Sequence, residues 1–221
     1  MAGRRRVKGC CGHHRGGLAH ASSPPMICGS PRRSRSSPRT GPAPSADRCA
    51  YAAAVTELQG DQVVLRTVVP DDVPELLRIL RTPEVRRWWR DEAEREGWPF
   101  DDPSEPRFAI RVEGRVVGLV QYGEEEDPDY RHASIDIFLD PAFHGRAIGR
   151  DAIRTLARYL IHHLGHHRLT IDPAADNRNA IRAYAAVGFR PVGIMRQYEK
   201  NADGHGWHDG LLMDLLADEM S

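Results

Sequence analysis

An aspartate inside an apolar strand is the residue of this sequence best suited to chemistry. Asp136 lies between Ile135 and Ile137, in an alternating segment over 134–139 that predicts a strand. A charged carboxylate is costly in that setting unless it is paired or functional. We therefore interpret Asp136 as a candidate general base. The alternative is a carboxylate on the solvated face of the strand.

A glycine-bearing loop follows this strand and leads into a predicted helix. The loop covers 140–147 and contains Gly145, and Gly149 lies in the first turn of the helix. Free backbone N–H groups and the positive dipole end make a helix N-terminus an anion site. Arg146 and Arg150 add positive charge. The pattern indicates a site for a phosphate-bearing ligand, unless the glycines only permit the turn.

A second helix carries an asparagine and a tyrosine at a spacing of two turns. Asn177 is a natural N-cap, and Tyr184 lies seven residues further along the same face. Gly188 then ends the helix. Tyr184 is either a functional phenol or a core aromatic whose hydroxyl has found a partner.

Hydrophobic periodicity and turn signals predict the elements that must position these residues. Strands are predicted over 63–68, 108–112, 116–122, 134–139, 168–171, 189–196 and 210–216, and helices from 71, from 148 to near 164, and over 180–187. Several strands followed by strand–helix–strand–helix–strand imply a mixed α/β sheet with at least one βαβ unit. We expect one folded domain over residues 56–221.

Charge divides the chain into two unlike parts. The first 50 residues hold ten of the 31 Lys and Arg and one of the 31 acids, which leaves 21 basic and 30 acidic residues beyond them. An acidic domain is a poor general binder of nucleic acid and suits cationic partners better. Residues 1–55, rich in Arg, Ser and Pro, are predicted to be a disordered basic tail. This tail has three possible interpretations: a solvated segment or sequence translated upstream of the true start, a nucleic-acid-binding arm, or a transit peptide.

The positions of the cysteines and histidines limit which kinds of site the domain can have. All four cysteines precede residue 50, so the domain uses neither a disulfide nor a thiolate nucleophile, as expected in the cytoplasm. The sequence has no apolar run long enough for a membrane helix and no secretory h-region. Histidines at 162, 163, 166 and 167 could suggest zinc, but a last helical turn suits histidine anyway, and we expect no metal.

The two segments together resemble the GNAT superfamily of N-acetyltransferases. The family's cofactor loop, Gln/Arg-x-x-Gly-x-Gly/Ala, corresponds to residues 144–149, with His144 in place of Gln/Arg and Ala147 in place of a glycine. Its second mark, Asn then Ala, Tyr and Gly-Phe, is present as Asn177, Ala180, Tyr184 and Gly188-Phe189. The resemblance covers about 60–216 and implies a GNAT-like acyl-CoA N-acyltransferase fold, a mostly antiparallel twisted sheet flanked by helices.

The resemblance also implies acetyl-CoA as co-substrate. A backbone N–H near 137–139 would hold the thioester carbonyl, and Tyr184 would protonate the departing sulfur as general acid. The residues implied in cofactor binding are Phe138, Leu139, His144, Gly145, Arg146, Ala147, Ile148, Gly149, Arg150 and Asn177.

A narrower likeness points to the aminoglycoside 6′-N-acetyltransferases. It is carried by Arg87-Trp88-Trp89, by the strand end over 135–141 and by the Asp-Pro at 172–173. It implies that Asp136 and Asp172 face the amine, and that Trp88 and Trp89 wall the acceptor pocket or fill the core. The acids at 124–127 form a solvated loop or attract a polycation.

We expect acetylation of a primary amine on a small polycationic acceptor. Acylation of a lysine side chain and a non-catalytic CoA-binding module are the alternatives. We expect neither nucleic acid nor membrane as a partner, and a monomer or a homodimer.

Overall fold

Within residues 57–89 and 94–220, the ranges described by the computed structural model, eight strands form one sheet. They are β1 Glu57–Gln59, β2 Val64–Thr67, β3 Arg107–Val112, β4 Arg115–Glu125, β5 His132–Leu139, β6 Arg168–Ile171, β7 Arg190–Lys200 and β8 Trp207–Leu216. Their order is β1-β2-β3-β4-β5-β6-β8-β7, and only the β5–β6 pair is parallel. The predicted mixed fold is confirmed, whereas the predicted tail over 1–55 lies outside the described residues.

Four α-helices of the described ranges cover the two faces of this sheet: α1 Val73–Leu80, α2 Pro83–Arg86, α3 Ile148–His162 and α4 Arg178–Ala185. Helix α3 is the crossover that makes β5 and β6 parallel. Its apolar stripe packs on the same face as Ile135, while α1 packs over Phe138 on the other. Since side chains alternate along a strand, Asp136 lies on the α1 face. None of the described helices is both long and apolar enough to cross a membrane.

Three local predictions differ from the structure. Strand β4 continues to Glu125, so the acids predicted in a loop are partly in a strand. Glu124 accepts a hydrogen bond from Nε2 of buried His166 at 2.6 Å, a pairing between residues 42 apart that no local pattern reveals. Strand β8 begins at Trp207, three residues before the predicted start at 210. The sequence did not predict β1 and α2. They are only three and four residues long, which is too short to show a periodic pattern.

A buried carboxylate ties α3 to the first hairpin of the sheet. Asp151 is buried in the first turn of α3 and accepts three backbone N–H bonds, from Asp61 at 3.1 Å, Gln62 at 2.6 Å and Val63 at 3.0 Å. The two carboxylate oxygens thus provide acceptors for three backbone N–H groups of the turn between β1 and β2. The contact therefore holds the N-terminal end of α3 against the sheet.

We expect Asp151→Asn to lower the free energy of unfolding by about 3 kcal/mol. The amide offers one acceptor oxygen and turns an NH₂ group towards buried N–H donors, which leaves polar groups unpaired. Urea unfolding measures the loss. Asp176→Asn is the matched control, because its exposed contact with Arg87 at 3.4 Å is worth less than about 1 kcal/mol. Equal losses in both variants would contradict the capping role.

Candidate active site

Strands β5 and β6 diverge in the middle of the sheet. Their register pairs only Ala133 with Leu169 and Ser134 with Thr170, whereas β5 stays paired with β4 as far as Leu139. The outer edge of β5 beyond Ser134 therefore faces an opening between the two strands. This opening is the centre of the candidate site.

Backbone groups of β5 line the opening. The N–H of Asp140 donates to the carbonyl of Val117 on β4 at 2.8 Å. Peptide groups alternate along a strand, so those of Ile137 and Leu139 point away from β4 and into the opening. An extended ligand that carries amide groups can pair with such an edge. The peptide groups of Phe138, which the sequence grouped with the cofactor residues, point to β4 instead.

The N-terminus of α3 lies just after β5 and has free donors. The first intrahelical bond runs from the N–H of Asp151 to the carbonyl of Ala147 at 3.0 Å, and no side chain caps the helix. The N–H groups of Ile148, Gly149 and Arg150 therefore lack intrahelical acceptors, which suits a phosphate.

Ala147 occupies a strained position at this helix start. Its φ of 64° lies in the left-handed region, which costs a residue with a Cβ about 1–2 kcal/mol relative to the usual conformation. A glycine would adopt this conformation freely, as the resemblance to a Gly-x-Gly loop implies.

The loop between β5 and α3 is held by its own side chains. The Asp140 carboxylate accepts the N–H of Ala142 at 2.9 Å and also contacts the Arg78 guanidinium. The His144 imidazole contacts the Leu139 carbonyl through Nε2 at 3.0 Å. His144, which the sequence placed among the cofactor residues, here closes the loop on the strand edge.

Asp136 has the electrostatics of a base that titrates near neutral pH. Its side chain has a solvent-exposed surface. The protein atoms packed around it nevertheless desolvate the charged form. This desolvation, with repulsion from the Asp172 carboxylate, raises the pKa of Asp136 to about 7, although the Gln121 amide opposes the rise. Burial also raises the pKa of Asp172, against a hydrogen bond from the Tyr198 hydroxyl. A general base works best with a pKa near the operating pH.

Tyr184 comes to the same recess from the opposite face of the sheet. Asn177 caps α4 as predicted, since its Oδ1 accepts the N–H of Ala180 at 3.2 Å. Burial raises the pKa of Tyr184, which is only 9% exposed, and the carboxylates of Asp136 and Asp172 raise it further. The phenol therefore stays protonated and can act as a proton donor.

Tryptophans lie on the Asp136 face of the sheet. Trp89 packs edge-on against the ring of Phe138, with centroids 5.0 Å apart, and Trp98 lies 6.5 Å from the same ring. Trp88 carries the guanidinium of Arg87 over its face at 4.5 Å. Trp88 and Trp89 are half-buried, so each combines packing with some accessible ring surface.

Sequence reasoning missed Gln121, Arg107 and Tyr198. Arg107 is a buried charge at the start of an apolar strand, the same signal that drew attention to Asp136. Gln121 and Tyr198 carried no signal, because their importance depends on which strands lie beside them. In the part of the chain described by the structure, no three side chains of His, Cys, Asp or Glu are grouped to hold a metal ion.

Comparison with known proteins gives a family match for this domain. Residues 62–190 match the model of the acetyltransferase (GNAT) domain. Mycothiol acetyltransferase of Nocardia farcinica is 32% identical over 155 residues, 64% of this chain and 50% of its own length. Spermidine N(1)-acetyltransferase of Escherichia coli is 24% identical over 62% of this chain and 77% of its own.

A solved structure has the same fold. Spermidine N-acetyltransferase from Vibrio cholerae, in complex with CoA and spermine, superposes with a TM-score of 0.61 at 21% identity, over 72% of this chain and 97% of its own. This chain spans about half the length of the mycothiol enzyme that it matches. Because the family model matches residues 62–190, more than half of the chain, the chain belongs to the GNAT family of acetyltransferases.

Proposed function

We propose that this chain transfers the acetyl group of acetyl-CoA to a primary amine of a small polycationic acceptor, of the aminoglycoside 6′-amine type. The observation that carries the proposal is the meeting of Asp136, Asp172 and Tyr184 at the opening between β5 and β6. There a carboxylate with a pKa of about 7 lies close enough to a phenol for its charge to raise the pKa of that phenol, which stays protonated. An acid–base pair of this kind suits aminolysis of a thioester.

The residues around the opening fit the co-substrate. The backbone of Ile137 and Leu139 pairs with its amide-bearing arm, and the N–H groups at the start of α3 hold its pyrophosphate, helped by Arg146 and Arg150. Bound acetyl-CoA supplies a thioester carbonyl open to attack. Asn177 caps α4 and so helps to position Tyr184, and we keep it among the residues proposed to bind the cofactor.

The acceptor side of the recess is acidic. Besides Asp136 and Asp172, Glu105 and Glu199 bring negative potential to it, since both raise the pKa of Asp136. Asp136 takes the proton of the reacting ammonium, and Asp172 binds a further ammonium group of the same molecule. Tyr184 gives a proton to the leaving sulfur, so no nucleophilic side chain is needed.

We expect Tyr184→Phe to lower kcat about tenfold to a hundredfold. The variant keeps the ring that packs in the core but loses the proton donor for the leaving thiolate. Continuous detection of released thiol at saturating acetyl-CoA measures the effect. Tyr130→Phe, at an exposed position, is the control. An undiminished kcat in Tyr184→Phe would remove the phenol from the mechanism.

A linear polyamine is the second candidate acceptor. It is favoured by the acids on β5, just after β6 and on β7, which together bring negative potential to the recess. A relative at 24% identity is named for spermidine. Acylation of a lysine side chain is a third candidate, which needs only one carboxylate.

Thiol release with an amine panel tests the proposal. Tobramycin and kanamycin, spermidine, free lysine and a short peptide are supplied with acetyl-CoA, and NMR of the product locates the acetyl group. Turnover of the aminoglycosides at the 6′-amine supports the specific proposal. Turnover of spermidine alone transfers it to the linear polyamines, turnover confined to lysine or the peptide transfers it to lysine-type acceptors, and no release with any amine contradicts the activity.

A further inference from the structure

Three polar side chains form one cross-strand row that ends at Asp136. The register pairs Arg107 of β3 with Gln121 of β4, and Gln121 with Asp136 of β5. The Arg107 Nε donates to Gln121 Oε1 at 3.0 Å, and the Gln121 Nε2 donates to Asp136 Oδ2 at 3.4 Å. Directly opposed residues of an antiparallel pair share a face, so the three side chains follow one another across the α1 face.

Arg107 decides which way the Gln121 amide points. A guanidinium can only donate hydrogen bonds, so the oxygen of the amide must face Arg107. The NH₂ group is then left to face the Asp136 carboxylate. Without Arg107 the amide could turn over and present its oxygen to a carboxylate, which is repulsive.

Arg107 is itself held rigidly. Its side chain is only 2% exposed, and its guanidinium also donates to the Pro99 carbonyl and to the carboxylates of Asp101 and Glu105. Two carboxylates pair with the buried guanidinium and offset part of the cost of desolvating it. The remaining Nε–H is therefore presented to Gln121 in a fixed direction.

We propose that Arg107 and Gln121 are positioning residues for the base, in that Arg107 orients the Gln121 amide and Gln121 holds the Asp136 carboxylate towards the amine. The proposal rests on the function proposed above. The titratable groups whose charges couple to Asp136 are Asp172 after β6, Glu105 before β3, Glu199 on β7 and Tyr184 on α4. Against the carboxylates among them, the Gln121 amide favours the ionised form. A contact of 3.4 Å is long, but catalytic hydrogen bonds tighten when the substrate binds.

Variants of Gln121 test the proposal through the pH profile. Removing the donor in Gln121→Met raises the pKa of Asp136, and Gln121→Glu raises it further because it adds a like charge. If the acid limb of kcat/KM rises by about one pH unit, kcat/KM falls about fivefold at pH 7 and is unchanged at pH 9. Structural damage would lower the rate at every pH instead. An acid limb that stays at its wild-type pH in both variants overturns the proposal.

A double-mutant cycle tests whether Arg107 acts through Gln121. Arg107→Lys keeps a positive charge near Asp101 and Glu105 but loses the Nε donor. As a single substitution, it should raise the pKa of the acid limb. In the Gln121→Met background it should cause no further shift. Additive shifts would show that Arg107 acts by another route and would overturn its assigned role. Gln62→Met, an exposed glutamine of the β1–β2 turn, is the matched control and leaves the profile unchanged.

Carbon-13 NMR titration of labelled aspartate carboxyls separates this proposal from the activity itself. The signal of Asp136 is assigned as the one lost in Asp136→Asn, and its pKa is read without substrates. If the wild type turned over no amine but the pKa of Asp136 rose in Gln121→Met, the proposed function would be contradicted. The interaction of Gln121 with Asp136 would still be supported. An unchanged carboxyl pKa in that variant would contradict the positioning role, whatever the turnover.

Discussion

Asp136→Asn is expected to lower kcat about a hundredfold to a thousandfold, the usual contribution of a positioned general base. The amide is nearly the same size as the carboxylate, so the recess keeps its shape, but it can neither accept a proton nor pair with an ammonium. The affinity for acetyl-CoA should not change, because that ligand is held by the backbone of β5 and the start of α3. Thiol release gives kcat, and calorimetry with acetyl-CoA gives the affinity.

The pH profile of the same variant supplies a second reading. In the wild type, the acid limb of kcat/KM should lie near pH 7, the pKa of Asp136, and in the variant this limb should disappear. Asp129→Asn, an exposed aspartate in the loop after β4, is the control for the loss of one negative charge. Wild-type turnover in Asp136→Asn would remove this carboxylate from the mechanism.

The Asp136→Asn variant should be more stable than the wild type, although it is less active. The folded-state pKa of Asp136, about 7, is above its ordinary value of 3.8, so the folded protein favours the protonated acid. The stability that this group contributes is present below about pH 4 and is lost as the pH rises to about 7. Asparagine suffers no such loss. We expect the melting temperature of Asp136→Asn to exceed that of the wild type by a margin that grows from pH 4 to 7 and then stays constant.

Gly118→Ala is expected to lower the free energy of unfolding by about 3 kcal/mol, at the upper end for overpacking. A Cβ at residue 118 would lie 2.3 Å from the Phe138 carbonyl oxygen and 3.0 Å from the Leu139 Cα. Both are backbone atoms of β5, so no side chain can turn aside to make room. Strand β5 itself must move, and with it the edge that faces the opening. Urea unfolding should therefore show the loss, and calorimetry should show weaker binding of acetyl-CoA.

The matched control for this substitution is Gly193→Ala in β7. Apart from its two chain neighbours, no residue has an atom within 4 Å of a Cβ built there, and Gly193 is not in the left-handed region. We expect its stability to lie within about 0.5 kcal/mol of the wild type, as for most surface substitutions. If Gly118→Ala were equally harmless, the close approach of β4 and β5 would be contradicted.

Short-range patterns predicted much of the fold and part of the candidate site. The alternation around Asp136 identified β5, and the glycine loop identified the start of α3. The spacing of Asn177 and Tyr184 identified α4 and its cap. These features depend on the periods of a strand and a helix and on local hydrogen bonds, all within about ten residues. A few neighbouring residues therefore suffice to determine them.

Contacts between distant segments were decided by the tertiary structure alone. The sequence by itself determined which elements form and that a carboxylate interrupts an apolar strand. It did not determine that β5 and β6 separate after Ser134, that Asp172 comes near Asp136, or that Arg107 and Gln121 share a row with Asp136. A shift of one residue in strand register turns every side chain to the other face, so such neighbours depend on how the whole sheet packs. The pKa of Asp136 belongs to the same class, because desolvation and charge repulsion arise only when the surrounding strands have assembled.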